Sequence, residues 1–249
     1  MALAVKSPIG YGETYAESYS NGTYGDSENA SIQASTPFLE AFRERVKANY
    51  SGNAAPHVFE GAAGFGDHSI RLVIEEGFKV TANDNSEDAV RIINSRISGS
   101  CPPCLQTRIQ VIPGDIVGSL RTLESQSVDG FYTNSFVHTL TRDVRRALYG
   151  EGYKVQPVGG VTAHSFKAEG DALENDGELV EETLLGRVVR DRKGIERLFV
   201  SDPDSLIVEL EQAGYGDIEV IRWDVPKYIA KKDYPEGTRK FIGFIGTKK

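Results

Sequence analysis

Between residues 56 and 166, short apolar runs alternate with stretches whose apolar residues recur at helical spacing. The runs predict strands over 58–60, 79–83, 107–112, 129–133 and 161–166. The stretches between them predict helices over 67–76, 89–97, 116–123 and 141–153. Buried β-branched strands that alternate with helices build a parallel sheet covered on both faces. Ahead of this region, Ser35-Thr36-Pro37 places hydroxyls and a proline at the start of a helix through Val46.

Local chemistry marks the element ends. Gly77 stops one helix where a C-terminus favours glycine, and Ser86 with Glu87 and Asp88 caps the next. Residues 98–104 read as a loop, because Pro102 and Pro103 cannot continue a helix. After residue 166 the alternation breaks. Residues 178–183 and 187–190 flank a Leu184-Leu185-Gly186 bend and predict a two-stranded antiparallel excursion. A helix follows from Asp202-Pro203-Asp204 to Gln212, and then 218–223 and 241–245 as a hairpin. No repeat or linker divides the chain, so residues 1–249 read as one domain. Within it, 1–36 form an N-terminal arm and 167–200 an insert.

The chain has 249 residues, 39% hydrophobic and 26% charged, as a globular protein with a sizeable core does. A net charge of −8 with scattered basic residues opposes binding to nucleic-acid phosphates. No apolar run approaches the roughly 18 residues of a membrane span. Two cysteines are too few for a secreted disulfide framework, and no signal-like segment opens the chain. The expectation is a cytoplasmic protein without nucleic-acid or membrane partners. Cys101 and Cys104 have C-x-x-C spacing but lack the second ligand pair a zinc site needs, so no metal is expected.

Candidate chemistry centres on Glu60-Gly61-Ala62-Ala63-Gly64-Phe65-Gly66, an acid and a small-residue turn after the first strand. Small residues let a ligand approach the backbone. The dinucleotide fingerprint G-x-G-x-x-G fails in both registers, meeting Ala63 from Gly61 and Ser69 from Gly64. One strand and helix later comes Asp84, in Asp84-Asn85-Ser86. Two such acids sit side by side at the carboxyl edge of a parallel sheet, where open α/β sheets bind ligands. Tyr11, Tyr15 and Tyr19 recur every four residues in the arm, either pinning it to the core or closing over a ligand. His138 follows the fourth strand and is a candidate general base or a residue that shapes the pocket. His164 falls inside a strand and reads as buried and hydrogen-bonded. His57 and His68 flank the first motif without a clear partner.

An acid followed by spaced glycines, with Glu60, Gly64 and Gly66 in place and Ala62 where the first glycine stands, resembles the first motif of class I S-adenosylmethionine-dependent methyltransferases. Ala62 fits there if its φ is negative. Asp84-Asn85-Ser86 resembles the family's D-x-S, whose acid holds both ribose hydroxyls by accepting two hydrogen bonds. Asp115-Ile116 resembles the position that meets the adenine amino group. Residues 128–140, including Asn134 and His138, resemble the fourth-strand motif, and Pro157-Val158-Gly159-Gly160 the turn before the fifth strand. Leu210-Glu211-Gln212-Ala213-Gly214-Tyr215 resembles the ending of the helix before the sixth. Tyr15-Ala16-Glu17-Ser18-Tyr19 resembles an arm folded over the cofactor.

The resemblance implies a Rossmann-like α/β fold: a seven-stranded, mostly parallel sheet in the order 3-2-1-4-5-7-6, its last strand antiparallel, with helices on both faces. It implies S-adenosyl-L-methionine as cofactor, held by Tyr15, Tyr19, Glu60, Gly61, Ala62, Gly64, Asp84, Asn85, Asp115, Ile116 and Asn134. The implied activity is methyl transfer to O, N or S of a small-molecule substrate, with His138 as the catalytic candidate. A protein methyltransferase and a non-catalytic cofactor-binding regulator stay open as alternatives. The 167–200 insert stands where the family elaborates its substrate pocket. Its Glu169, Asp171, Glu178, Glu181 and Glu182 suit a cationic acceptor, its Arg187, Arg190, Arg192 and Arg197 an anionic one. Equally, the insert reads as a solvated hairpin.

Overall fold

The computed structural model of the chain describes residues 35–228 and 237–249. Tyr15, Tyr19 and the rest of the arm up to residue 34 lie outside the described residues. The elements are α1 (Pro37–Asn49), β1 (His57–Gly61), α2 (Asp67–Glu76), β2 (Lys79–Asp84), α3 (Glu87–Ser100), α4 (Pro103–Gln106) and β3 (Ile109–Pro113). Next come α5 (Ile116–Arg121), β4 (Gly130–Thr133), α6 (Arg142–Val155), β5 (Val161–Ala168), β6 (Glu178–Thr183), β7 (Gly186–Arg190) and β8 (Glu196–Val200). The chain closes with α7 (Pro203–Gln212), β9 (Tyr215–Tyr228) and β10 (Gly237–Lys248).

Strands β3-β2-β1-β4-β5 pair in parallel, and β10 continues the sheet antiparallel to both β5 and β9. Those seven strands stand in the expected order. Among the described residues the sheet nevertheless has ten strands rather than seven. Beyond the end of β4, β8 runs parallel to the last residues of β5, pairing Phe199 with Lys167 and Val200 with Ala168. Because β10 occupies the other edge of β5 up to Lys167, β8 takes the edge that β4 leaves at Thr133. β7 pairs antiparallel with β8 and with β6, so the insert is a three-stranded extension over the carboxyl edge. The expected two-stranded excursion missed β8, whose Arg197-Leu198-Phe199-Val200 is too short a run to show a period.

Each face of the sheet carries its own core. On one face α1 buries Phe38, Leu39, Phe42 and Val46, its start capped by the Thr36 hydroxyl on the Leu39 N–H at 3.1 Å. Phe38 stacks on Trp223 with ring centroids 5.3 Å apart. It can lie that close because position 243 is glycine: a Cβ there would stand 2.3 Å from the Phe38 ring. Burying such a ring stabilises the fold by roughly 1.5–3 kcal/mol. On the other face Phe59, Phe131, Phe166 and Phe244 pack with Leu148, Tyr149 and Leu206 of α6 and α7.

One boundary moves. Helix α3 runs through Ser98-Gly99-Ser100, which the prolines marked as loop. Pro102 restricts only the residue before it, so Cys101 is extended at φ −89°, ψ 133° and the helix survives to Ser100. Pro103 then opens the single turn α4, as a first-turn proline can. No helix among the described residues is long and apolar enough to cross a membrane.

Candidate active site

In the order 3-2-1-4-5 the chain leaves β1 to one side and β4 to the other. The crevice of an open α/β sheet lies at that switch point, outside the carboxyl ends. Gly61 ends β1 there, in register with Asn83 of β2 and Thr133 of β4. The turn beyond it, Ala62 to Gly66, has left-handed backbone at three alternate positions: Ala62 (φ 54°), Gly64 (φ 57°) and Gly66 (φ 71°). The condition of a negative φ at Ala62 is not met. An L-residue in this region crowds its Cβ against the next carbonyl, so the alanine carries strain that a glycine would not.

The turn is held by its neighbours. The Gly64 N–H donates to Asp84 Oδ2 at 2.9 Å, and the Ser86 N–H to Asp84 Oδ1 at 3.0 Å. Burial still raises the Asp84 carboxyl above its ordinary pKa, against these donors. The N–H groups of Gly64, Ser86 and Asn85 do not exhaust the four acceptor sites of the carboxylate. From behind, the buried Arg96 of α3 donates to the Phe65 carbonyl at 2.7 Å and pairs with Asp67 at 2.7 Å. Asn83 ties β2 to the next unit, its Nδ2 donating to Ile112 O, Gly114 O and Ser119 Oγ within 3.1 Å.

Glu60 is buried beside the turn. Ser69 Oγ donates to its Oε2, and His68 Nδ1 lies 3.7 Å from its Oε1. Desolvation is the main cause that lifts its pKa to about 8, with Asp67 and Asp84 adding repulsion. The same burial lowers His68 to about 4, so no cation answers Glu60 from that side at neutral pH.

Four further expected positions have roles of their own in the fold. Ile116 is buried in the core, where its Cδ1 would stand 2.0 Å from a Cβ added to Gly61. Gly61 thus makes room for the Ile116 side chain. Asp115 caps α5, accepting the Gly118 N–H at 2.8 Å. Asn85 is exposed at the rim beside Asp84.

Across the crevice, Asn134 follows β4. Ser165 of β5 donates to Asn134 Oδ1 and accepts the Ser135 N–H, both at 2.8 Å, while Ser135 is left-handed at φ 52°. Non-glycine residues in such backbone persist where surroundings over-determine them. His138 lies in the next turn, 2% exposed. Its Nε2 is 3.3 Å from Arg197 Nη1 of β8. A guanidinium only donates, so Nε2 is the acceptor and the neutral ring carries its hydrogen on Nδ1. Burial, then the charges of Arg197, Lys167 and Arg239, hold its pKa well below the ordinary value. A ring whose lone pair already takes a guanidinium N–H, among cations, is a poor general base. Of the two roles expected for His138, this geometry favours shaping the pocket over general base.

The insert's other charges face one another. Arg190 meets Glu196 at 2.6 Å, Arg187 meets Glu174 at 3.3 Å, and Arg192 pairs with Asp176. A cavity of about 940 Å³ separates the insert from the start of α6, lined by His138, Leu140, Arg142, Glu181, Leu184 and Ile195 among others. His164 bridges Thr133 and Thr162 at 2.8 Å each, and His57 joins Ser127 O and Thr81 Oγ1. Lys167, Arg239, Ser165 and Arg96 went unremarked in the sequence, since each gains meaning only through a neighbour distant in the chain. Among the described residues no group of His, Cys, Asp and Glu is placed to hold a metal, and both cysteines are free thiols.

No family model matches the chain, and no curated protein matches it. Solved structures do. A SAM-dependent methyltransferase from Archaeoglobus fulgidus superposes with TM-score 0.57 at 15% identity, over 96% of this chain and 100% of that one. The 1,6-didemethyltoxoflavin-N1-methyltransferase of Burkholderia thailandensis, holding its substrate and S-adenosylhomocysteine, gives 0.62 at 14% identity over 100% and 94%. A structure reported for conversion of a disulfide bond into a thioacetal group during echinomycin biosynthesis gives 0.65 at 15% over 95% and 93%. The chain has the class I S-adenosylmethionine-dependent methyltransferase fold.

Proposed function

We propose that the protein is an S-adenosyl-L-methionine-dependent methyltransferase that acts on O, N or S of a small molecule. The observation that carries this reading is the turn at the β1/β4 switch point. It is left-handed at residues 62, 64 and 66 and fastened to Asp84, and its small residues leave room for a ligand to approach the backbone. The chemistry of the surrounding groups fits the cofactor. Asp84 keeps acceptor sites for a diol, and the buried Glu60 carboxyl suits an ammonium group that would let it ionise. Residues 62–64, Asn85, Asp115 and Asn134 are the further candidates for contact with the cofactor.

When bound, the cofactor supplies a methyl group on a sulfonium, activated without help from a nucleophilic side chain. The protein's part is to orient the acceptor in line and to exclude water. The 167–200 insert, with β8 seated over the end of β4, acts as the cap that does so. His138 serves to shape and orient rather than to take a proton. A labelled-methyl transfer screen tests the reading: transfer to a small molecule supports it, transfer to proteins alone favours the protein-methylating alternative, and binding without any transfer favours the regulator.

A further inference from the structure

Four buried, positively charged or hydrogen-bonding side chains meet beside the ends of β5, β8 and β10. Lys167, Arg197 and Arg239 come from three strands, His138 from the turn after β4, and none is more than 6% exposed. Lys167 pairs in register with Phe199 and with Phe241. Arg197 and Arg239 each lie two residues from those partners, so the strand period puts all three cations on one face.

Among the described residues, Asp191 and Asp171 are carboxylates that serve them. Asp191 accepts from Arg197 Nε at 3.0 Å and Nη2 at 2.9 Å. Asp171 accepts from Lys167 Nζ at 3.3 Å, Arg239 Nη1 at 3.1 Å and the N–H groups of Leu173 and Lys240 at 2.9 Å. Four donors fill its acceptor sites. Lys167 therefore shares this carboxylate with three other donors, and its ammonium lies 3.7 Å from the Phe241 ring. Desolvation outweighs that support and lowers its pKa to about 7. His138 adds the complementary need. Its Nδ1–H, fixed as a donor by the Arg197 contact, is buried without a hydrogen-bond partner among the described residues. A ligand that meets both needs brings negative charge to Lys167 and an acceptor oxygen to Nδ1–H. An amide meets only the second, and a cation neither.

We propose that Lys167, Arg197 and His138 form a carboxylate subsite for the methyl acceptor, so that the substrate is a small organic acid. The assignment to an acceptor rests on the methyltransferase reading. The test uses the full chain saturated with S-adenosylhomocysteine and titrates acetate and benzoate against acetamide and benzamide. At least one acid should bind about tenfold or more tightly than its amide, a difference of ~1.4 kcal/mol. Lys167→Met should abolish that preference while cofactor binding stays intact. Equal binding of acids and amides overturns the proposal, as does an acid preference that survives Lys167→Met. The comparison in the unaltered protein decides even if the variant does not fold. If S-adenosylhomocysteine itself fails to bind, the methyltransferase reading falls, and the same titrations without it still judge the anion subsite.

Discussion

Ala62→Gly should stabilise this protein, against the trend for alanine-to-glycine changes. Ala62 sits at φ 54°, where an L-residue costs roughly 1–2 kcal/mol relative to relaxed backbone. Glycine escapes that cost but loses about 0.4–1 kcal/mol through the greater freedom of the unfolded chain. The Ala62 methyl belongs to neither large apolar cluster, so little burial is given up. The balance is a gain of ~0.5–1 kcal/mol, or about 1–4 °C in Tm for a domain of this size. Urea unfolding of the ligand-free protein measures it, with Ala62→Val as the opposite control: a β-branched residue should destabilise by about 1 kcal/mol or more. A loss of about 0.5–1 kcal/mol in Ala62→Gly, the ordinary penalty for glycine, would refute the reasoning and with it the left-handed turn.

Glu60 carries a pH signature. With its pKa raised from 4.5 to about 8, the folded protein keeps a proton that the unfolded chain has released between those values. Stability contributed by this group therefore falls as pH rises through that window, and Glu60→Gln should lack that fall when unfolding is compared at about pH 5 and about pH 8. Parallel slopes for the two proteins would sink the assignment. Loss of Asp84 removes a charged acceptor facing the crevice, worth about 1.5–3 kcal/mol per hydrogen bond. Asp84→Ala should weaken S-adenosylmethionine binding by roughly 10–100-fold in calorimetry; unchanged affinity would remove Asp84 from the site. In thiol labelling, the exposed Cys104 should react quickly and the buried Cys101, whose pKa burial raises, slowly. Equal rates would contradict that packing.

The parallel half of the sheet was legible because β1 to β5 are apolar runs ended by small or acidic residues, and those ends carried Glu60 and Asp84 to one edge. What stayed hidden depended on contacts distant in the chain. The sign of φ at Ala62 is set by Asp84 and Arg96 gripping the turn, not by the alanine. Ile116 reads like any residue after a Pro-Gly-Asp turn until Gly61 is seen beneath it. β8 needed β7 and the exposed end of β5 to define it. His138 was found, but whether its lone pair was available depended on Arg197, 59 residues away. Lys167 carries no signal in the sequence, because Asp171, Phe241 and Arg239 meet it only in the fold.

The central claim, a cofactor crevice at the β1/β4 switch point, is tested most directly by calorimetric titration of the full chain with S-adenosylmethionine, using NADH in parallel. Saturable one-to-one binding of S-adenosylmethionine, none of NADH, and marked weakening in Asp84→Ala are the predicted results. No heat with S-adenosylmethionine, or equal affinity in the wild-type and Asp84→Ala proteins, would contradict it.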